Sequence, residues 1–144
     1  MNPDETKQGR NAMNLKPFVL VCDDNEAIRQ SIVFFLQRAG YRARGVDSAL
    51  DCVAVARQDL PDLIVMDLMM PGMDGATASG LMREIPGMTE VPIVFLSAMA
   101  EEQVRAHALE VGAADYLLKP FRKNLLLEMV QRCIPVSVSH ELTA

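Results

Sequence analysis

Three short apolar runs constrain the fold of this chain more than any other feature of its sequence. They read PFVLVC at 17–22, DLIVMD at 62–67 and VPIVFLS at 91–97. Continuous apolar runs of this length are typical of strands that are buried on both faces, as in parallel sheets. Two weaker segments, YRARGV at 41–46 and ADYLLKP at 114–120, complete five predicted strands. The arginines of the second strand are typical of a sheet edge.

Each predicted strand is followed by a segment with helical features. Gly40 is expected to end the first helix, and Ser48 is a candidate N-cap for a second helix that runs to about residue 58. The other four helices are predicted from apolar residues at helical spacing. These residues are Ile28, Ile32, Phe35 and Leu36 in the first helix, Ala78, Leu81, Met82 and Ile85 in the third, Val104, Ala108 and Val111 in the fourth, and Leu126, Met129, Val130 and Cys133, before Pro135, in the fifth. Five such β/α units predict a parallel sheet with helices on both faces.

The composition indicates a soluble globular domain, with 50% apolar and 23% charged residues. The net charge of -5 argues against a nucleic-acid surface, which needs a basic stripe, so we expect no direct DNA binding. Three scattered cysteines suit a reducing compartment, and no apolar run approaches the length of a membrane span. We therefore expect a cytoplasmic protein that is not bound to membranes.

Reactive side chains stand at the ends of four predicted strands. Asp23 and Asp24 follow the first strand, Asp67 closes the third, Ser97 closes the fourth and Lys119 lies at the end of the fifth. Ligands of such sheets bind at the carboxyl ends of the strands, beside the topological switch point. Taken singly, the acidic residues could cap the first helix, and the hydroxyl and the ammonium could be turn or surface groups. Their coincidence at four strand ends predicts one shared site.

The charges of this predicted site indicate a metal ion and a phosphoryl group. Three carboxylates in one place cannot all ionise without compensation, and a single lysine leaves a deficit. Oxygen ligands without histidine or cysteine favour Mg²⁺ or Mn²⁺. An aspartate beside such an ion can act as a nucleophile and form an aspartyl phosphate. Because its strand is the most central, we assign this role to Asp67, with Ser97 and Lys119 contacting the phosphoryl oxygens.

Four segments, VLVCDDNEAIR, VMDLMMPGMDG, VPIVFLSA and AADYLLKPF, resemble in order and spacing the motifs of two-component response-regulator receiver domains. The resemblance covers about residues 16–134, the expected receiver domain, and is to the stand-alone, chemotaxis-regulator-like type. It implies a flavodoxin-like (βα)5 fold, a doubly wound parallel sheet with strand order 2-1-3-4-5. We expect residues 1–15 to form a flexible N-terminal arm and residues 135–144 a short tail without an output domain.

The resemblance also implies roles for the residues of the site. Asp67 is the implied phosphoacceptor. Asp24 and Asp67 are expected to ligate Mg²⁺ directly, together with the backbone carbonyl of Met69, whereas Asp23 acts mainly through water. The bond between Lys119 and the following proline is usually cis in this family.

Four further roles concern switching and the lifetime of the phosphoryl group. By resemblance, Ser97 is the switch hydroxyl and Tyr116 the switch aromatic, although an aromatic residue in a strand is ordinarily half-buried packing. Met69 and Met99, each two residues beyond a site residue, are implied to flank the phosphoryl group and tune its hydrolysis. Their apolar side chains cannot activate water, so we expect slow self-dephosphorylation, altered by asparagine or glutamate at position 69.

These inferences predict a phosphorylation-controlled signalling switch and not an enzyme. The expected donor is a phosphohistidine on a sensor histidine kinase or a histidine phosphotransfer protein, docked near the first helix. The acyl phosphate is expected to shift the population toward an active state. The output is then a protein target on the face formed by the fourth helix, fifth strand and fifth helix. We expect a monomer or a phosphorylation-dependent dimer.

Other classes of protein share parts of this pattern. A phosphatase or phosphotransferase of the haloacid-dehalogenase type also uses an aspartate at a strand end, but it needs a second aspartate at the position of Met69. A flavodoxin-like FMN protein would have a hydroxyl- and glycine-rich loop where Asp23 and Asp24 stand. The remaining alternatives are an interaction domain that does not need phosphorylation and the receiver of a larger hybrid kinase.

Overall fold

The computed structural model describes residues 16–110 and 112–134 as a five-stranded parallel sheet flanked by helices. In chain order the elements are β1 (Phe18–Cys22), α1 (Glu26–Arg38), β2 (Arg42–Val46), α2 (Ala49–Gln58), β3 (Leu63–Asp67), α3 (Gly75–Met82), β4 (Ile93–Ser97), α4 (Glu102–Glu110), β5 (Asp115–Leu118) and α5 (Lys123–Cys133). The strand order is β2-β1-β3-β4-β5, which confirms the predicted fold. The predicted arm and tail, with Val111 and Pro135, lie outside the described residues.

The alternation of side chains along the strands divides the core into two layers. On β1, Leu20 and Cys22 pack with α2, α3 and α4, whereas Val19 and Val21 pack with α1 and α5 on the opposite face. Every residue of β1, β3 and β4 is buried, as the three apolar runs predict. Strands β2 and β5 are the two edges and are partly exposed. In the described part of the chain, the helices are too short or too polar to cross a membrane.

Side-chain caps begin three of the helices. Ser48 accepts a hydrogen bond from the amide of Asp51 at the start of α2, which confirms the predicted N-cap. Asn25 caps α1 by accepting from the amide of Ile28, and Asp74 caps α3 in the same way. Because Asn25 does this work, neither of the two preceding aspartates is needed as the cap of α1. Oδ1 of Asp23 accepts from the Asn25 amide at 2.9 Å, which leaves Oδ2 of Asp23 and the Asp24 carboxylate for a different role.

The third helix is shorter than its apolar pattern predicts. Helix α3 ends at Met82, and Ile85 lies in the tight turns that follow, with its amide bonded to the Met82 carbonyl at 3.0 Å. The cause is Pro86, since a residue before proline is disfavoured in the helical region. Ile85 is still buried, whereas Leu81 is 38% exposed and does not belong to the buried face.

All five strands are also shorter than predicted, and the difference is largest for β4 and β5. Strand β4 begins at Ile93, and strand β5 ends at Leu118, so that Lys119 lies one residue beyond it. The amide of Lys119 nevertheless donates to the carbonyl of Ser97 at 2.7 Å, which continues the ladder between these strands. The backbone of Lys119 is thus fixed beside the end of β4.

Candidate functional site

The register of the central strands brings the predicted reactive residues to one edge of the sheet. Cys22 of β1 is paired with Met66 of β3, so Asp23 and Asp67 stand next to each other at the following position. The chain leaves β1 for β2 on one side and later enters β3 on the other, which makes this edge the topological switch point. The convergence that the sequence predicted is therefore a consequence of parallel pairing.

Three carboxylates meet at this edge. Oxygen atoms of Asp23, Asp24 and Asp67 all lie within 4.8 Å of one another. Asp23 is 0% exposed and Asp67 6% exposed, whereas Asp24 is exposed to solvent. The acidic cluster thus has two buried members and one member that faces outward, where a ligand can approach.

Lys119 supplies a single positive charge to the two buried carboxylates. Its Nζ lies 2.9 Å from Oδ2 of Asp23 and 3.3 Å from Oδ2 of Asp67. The contact with Asp67 is a hydrogen bond, but Oδ2 of Asp23 accepts no hydrogen bond from the described residues. The Lys119-Pro120 peptide bond is cis, as the resemblance implies. One buried oxygen of the cluster is therefore only partly satisfied.

The surroundings shift the pKa values of the acceptor and of the lysine. Burial raises the pKa of Asp67 above its ordinary value, and the charge of Asp23 adds to this; the Met69 amide and Lys119 oppose the shift without cancelling it. Burial by itself lowers the pKa of Lys119, but the neighbouring Asp23 and Asp67 carboxylates outweigh burial and raise it. Lys119 is consequently charged at neutral pH, and Asp67 is a stronger base than an exposed aspartate.

The donor set fits a hard divalent cation. The three carboxylates offer only oxygen ligands, one buried Asp23 oxygen lacks a hydrogen bond, and Lys119 leaves negative charge uncompensated. Mg²⁺ and Mn²⁺ prefer such ligands. Direct ligation by Asp24 and Asp67, the role of the Met69 carbonyl and the water-mediated role of Asp23 remain predictions.

Two equivalent turns hold the predicted acceptor and the predicted switch hydroxyl. The amide of Met69 donates to Oδ1 of Asp67 at 3.1 Å, and the amide of Met99 donates to Oγ of Ser97 at 3.0 Å. Ser97 is only 1% exposed, so its hydroxyl is held inside the turn. The backbone amides of the predicted tuning residues, Met69 and Met99, therefore contact the acceptor and the hydroxyl directly.

Tyr116 joins the β5 edge to the loop between β4 and α4. Its hydroxyl donates to the carbonyl of Met99 at 2.6 Å, while its half-buried ring packs against the core on the α2, α3 and α4 side. The packing interpretation of this residue is therefore correct, and the same residue also contacts the loop that carries the predicted switch. No periodicity in the sequence indicates this hydroxyl contact.

Sequence reasoning missed Arg29. Its Nη1 donates to the carbonyl of Asp23 at 3.0 Å, which fixes the backbone that carries the buried carboxylate. Its side chain crosses β2 at Gly45, where an added Cβ would come within 2.8 Å of Cγ of Arg29. A glycine inside a strand often marks such a close approach. Gly45 is therefore the sequence feature that could have indicated a positioning residue on α1.

Comparisons with known proteins agree with this geometry. A family model described as the response regulator receiver domain matches residues 19–131. The chain is similar to the structure of the chemotaxis response regulator CheY4 of Vibrio cholerae, with a TM-score of 0.78, 30% identity, and coverage of 83% of this chain and 99% of that one. It is also similar to the non-phosphorylated HemR receiver domain from Leptospira biflexa, with a TM-score of 0.75, 28% identity, and coverage of 83% and 95%.

Curated relatives by sequence are longer proteins. The chain is 36% identical over 123 residues to the transcriptional regulatory protein BaeR of Escherichia coli, which covers 83% of this chain and 50% of that protein. It is 36% identical over 109 residues to the phosphate regulon transcriptional regulatory protein PhoB of Pseudomonas aeruginosa, covering 76% and 48%. The chain thus spans about half the length of the curated relatives that it matches.

Proposed function

The chain belongs to the family of response regulator receiver domains, and from that premise we propose that Asp67 is the residue whose phosphorylation operates the switch. Receiver domains are signalling switches of two-component systems and not classical enzymes. The observation that carries the proposal is the position of Asp67. It is a buried carboxylate of raised pKa, hydrogen-bonded to Lys119 and grouped with two further carboxylates at the switch point.

In the proposed reaction, a carboxylate oxygen of Asp67 attacks the phosphorus of a phosphohistidine. The new P–O bond forms as the P–N bond breaks, and the electron pair and a proton go to the imidazole nitrogen. The raised pKa makes the attacking oxygen more basic, and Lys119 neutralises charge as the phosphoryl oxygens arrive. A divalent cation bound by Asp23, Asp24 and Asp67 would supply further charge neutralisation.

The groove between α1 and the segment after β5 supports docking of a histidine-bearing donor. This groove of about 570 Å³ reaches Lys119 at one end. Its walls are formed by Ala27, Ile28, Ser31, Phe35, Ala98, Lys119, Pro120 and Phe121. Most of these side chains are apolar, as expected of a surface that receives another protein. The proposed donor is a sensor histidine kinase or a histidine phosphotransfer protein.

The proposed output surface is the face formed by α4, β5 and α5. Each of these elements presents one exposed leucine, with Leu109 47% exposed, Leu118 42% and Leu125 46%. Exposed apolar residues grouped on one face favour contact with a protein. We propose that movement of Ser97 toward the phosphoryl group releases Met99 and Tyr116, which alters this face. The oligomeric state, a monomer or a phosphorylation-dependent dimer, stays a prediction. The lack of direct DNA binding also stays a prediction.

Incubation with acetyl phosphate and Mg²⁺, followed by intact-mass measurement, tests the proposed function. We expect the gain of one phosphoryl group per chain, because small acyl phosphates can replace a protein donor when the acceptor site is complete. Chelation of the metal with EDTA is expected to prevent the gain, since Lys119 alone leaves the cluster negative. A chain that stays at its unmodified mass in Mg²⁺ contradicts the proposal.

Replacing Tyr116 with phenylalanine is expected to loosen the loop that follows β4. The change removes only the 2.6 Å hydrogen bond to the Met99 carbonyl and keeps the ring in the core. We expect the free energy of unfolding to fall by about 1 kcal/mol and the amides of residues 98–101 to exchange about fivefold faster. Denaturant titration and hydrogen exchange measure both. Tyr41→Phe, at the opposite edge of the sheet, is the control, and equal loop exchange in both variants would exclude a role for the Tyr116 hydroxyl.

A further inference from the structure

The methionines differ sharply in their exposure to solvent. Met69 is 56% exposed and Met99 38% exposed. Met73 is half-buried. The remaining methionines of the described residues are 8% exposed or less, and these are Met66, Met70, Met82, Met88 and Met129. Among the described residues, the two most exposed thioethers are therefore the two at the candidate site.

Met69 and Met99 belong to one groove. Both side chains line a groove of about 340 Å³ between the loop after β3 and helix α4. Their backbones are fixed, because the Met69 amide bonds to Asp67 and the Met99 amide bonds to Ser97. A change in the polarity of either side chain therefore changes the surroundings of the acceptor carboxylate.

The cysteines of the described residues are poor competitors for an oxidant. Cys22 and Cys52 are both 0% exposed. Burial raises the pKa of the half-buried Cys133. Because the thiolate is the form that reacts readily with peroxide, protonated and buried thiols react slowly. Among the described residues, mild peroxide therefore reaches the two exposed thioethers first.

We infer that Met69 and Met99 are oxidation sites through which peroxide shortens the lifetime of the phosphorylated state. The inference rests on the proposed function of Asp67. In the reaction the thioether sulfur attacks one peroxide oxygen, the S–O bond forms as the O–O bond breaks, and the other oxygen leaves as water after proton transfer. Sulfur is oxidised by two electrons and hydrogen peroxide is reduced. Methionine sulfoxide reductases reverse the change.

Oxidation changes what the two side chains can do to water. A thioether is a weak hydrogen-bond acceptor, so in the reduced protein neither Met69 nor Met99 orients water well, although Asp74, Gln103 and His107 also line the groove. A sulfoxide is polar and its oxygen can accept a hydrogen bond from a water molecule. A water so oriented beside the acyl phosphate is a better nucleophile. We expect hydrolysis to become about fivefold faster, the effect of one added hydrogen bond in the transition state.

The full chain is treated with dilute hydrogen peroxide, freed of peroxide and phosphorylated with acetyl phosphate and Mg²⁺. Decay of the phosphorylated form is followed by intact mass, and peptide mapping identifies the oxidised methionines. The double variant Met69→Leu/Met99→Leu is compared with itself before and after peroxide, because leucine is apolar and not oxidised. Met73→Leu, in the same loop as Met69, is the matched control.

The inference requires that peroxide speeds the decay of the phosphorylated form in the unsubstituted chain and in Met73→Leu, but not in the double variant. Treatment with methionine sulfoxide reductase must restore the original decay rate. It is overturned if mapping shows both methionines oxidised while the decay rate is unchanged, if Met73 or a buried methionine of the described residues is oxidised first, or if the double variant accelerates equally. If the untreated chain takes up no phosphoryl group, the proposed function fails and the inference fails with it.

Discussion

Asp67→Asn is expected to reduce phosphoryl uptake from acetyl phosphate by at least about 1000-fold, to the background of the measurement. The asparagine side chain has the same shape, and its oxygen can still accept the hydrogen bond that the Met69 amide gives to Oδ1 at 3.1 Å. It lacks the anionic oxygen that attacks phosphorus. Loss of uptake in this variant therefore reports on the nucleophile and not on a collapsed loop. Intact-mass measurement after incubation with the donor and Mg²⁺ is the test.

Two controls make the Asp67→Asn result specific. Asp47→Asn changes an exposed aspartate that directly follows another strand, β2, and is expected to leave uptake unchanged.

The Asp67→Asn variant is expected to melt no lower than the unsubstituted chain at neutral pH, because burial raises the pKa of Asp67 and so disfavours its charged form. An acid whose folded pKa is raised gains stability as pH falls through that pKa. Any advantage of the variant should therefore shrink in acid. Full phosphorylation of Asp67→Asn would place the acceptor elsewhere.

The sheet and the convergence of the site follow from local sequence features. Runs such as VLVC and LIVM are apolar at every position and too short for a helix, which favours strands covered on both faces, and parallel pairing is the arrangement that covers them. Once the strands are parallel, Asp23, Asp67 and Ser97 must share an edge. Their approximate positions require no knowledge of side-chain conformation.

The contacts within the site were not predictable in the same way. The sequence places Arg29 six residues after Asp23, but only the crossing of α1 over β2 at Gly45 brings its guanidinium to the Asp23 carbonyl. The hydrogen bond from Tyr116 to Met99 likewise depends on how the loop after β4 folds back toward β5. Such contacts depend on rotamers and on how helices and loops cross the strands, which periodicity does not encode.

Lys119→Met is expected to lower the free energy of unfolding at neutral pH by about 3 kcal/mol, a large part of the roughly 5–15 kcal/mol that stabilises a domain. The change removes the ammonium that lies 2.9 Å from Asp23 and 3.3 Å from Asp67 and leaves two buried carboxylates without a cation. It is also expected to slow phosphoryl uptake by about 100-fold, since a positive charge at the reacting oxygens is lost. Lys123→Met, at an exposed lysine, is the control and should change neither quantity.

The pH dependence of the Lys119→Met deficit identifies its electrostatic origin. The raised pKa of Lys119 means that its ion pairs contribute fully at neutral pH, below its ordinary pKa, and are lost only as pH rises through the folded value. The ammonium lowers the pKa of Asp67, so its removal should raise that pKa further. Asp67 should then take up a proton as pH falls, and the deficit measured by denaturant titration should shrink. Mg²⁺ should also shrink it, because a cation that binds only the folded chain stabilises it by mass action, and the variant, which has lost a positive charge from the site, binds the cation more tightly. A deficit that is the same at neutral and acidic pH, and unaffected by Mg²⁺, would mean that Lys119 acts through packing and not through its charge.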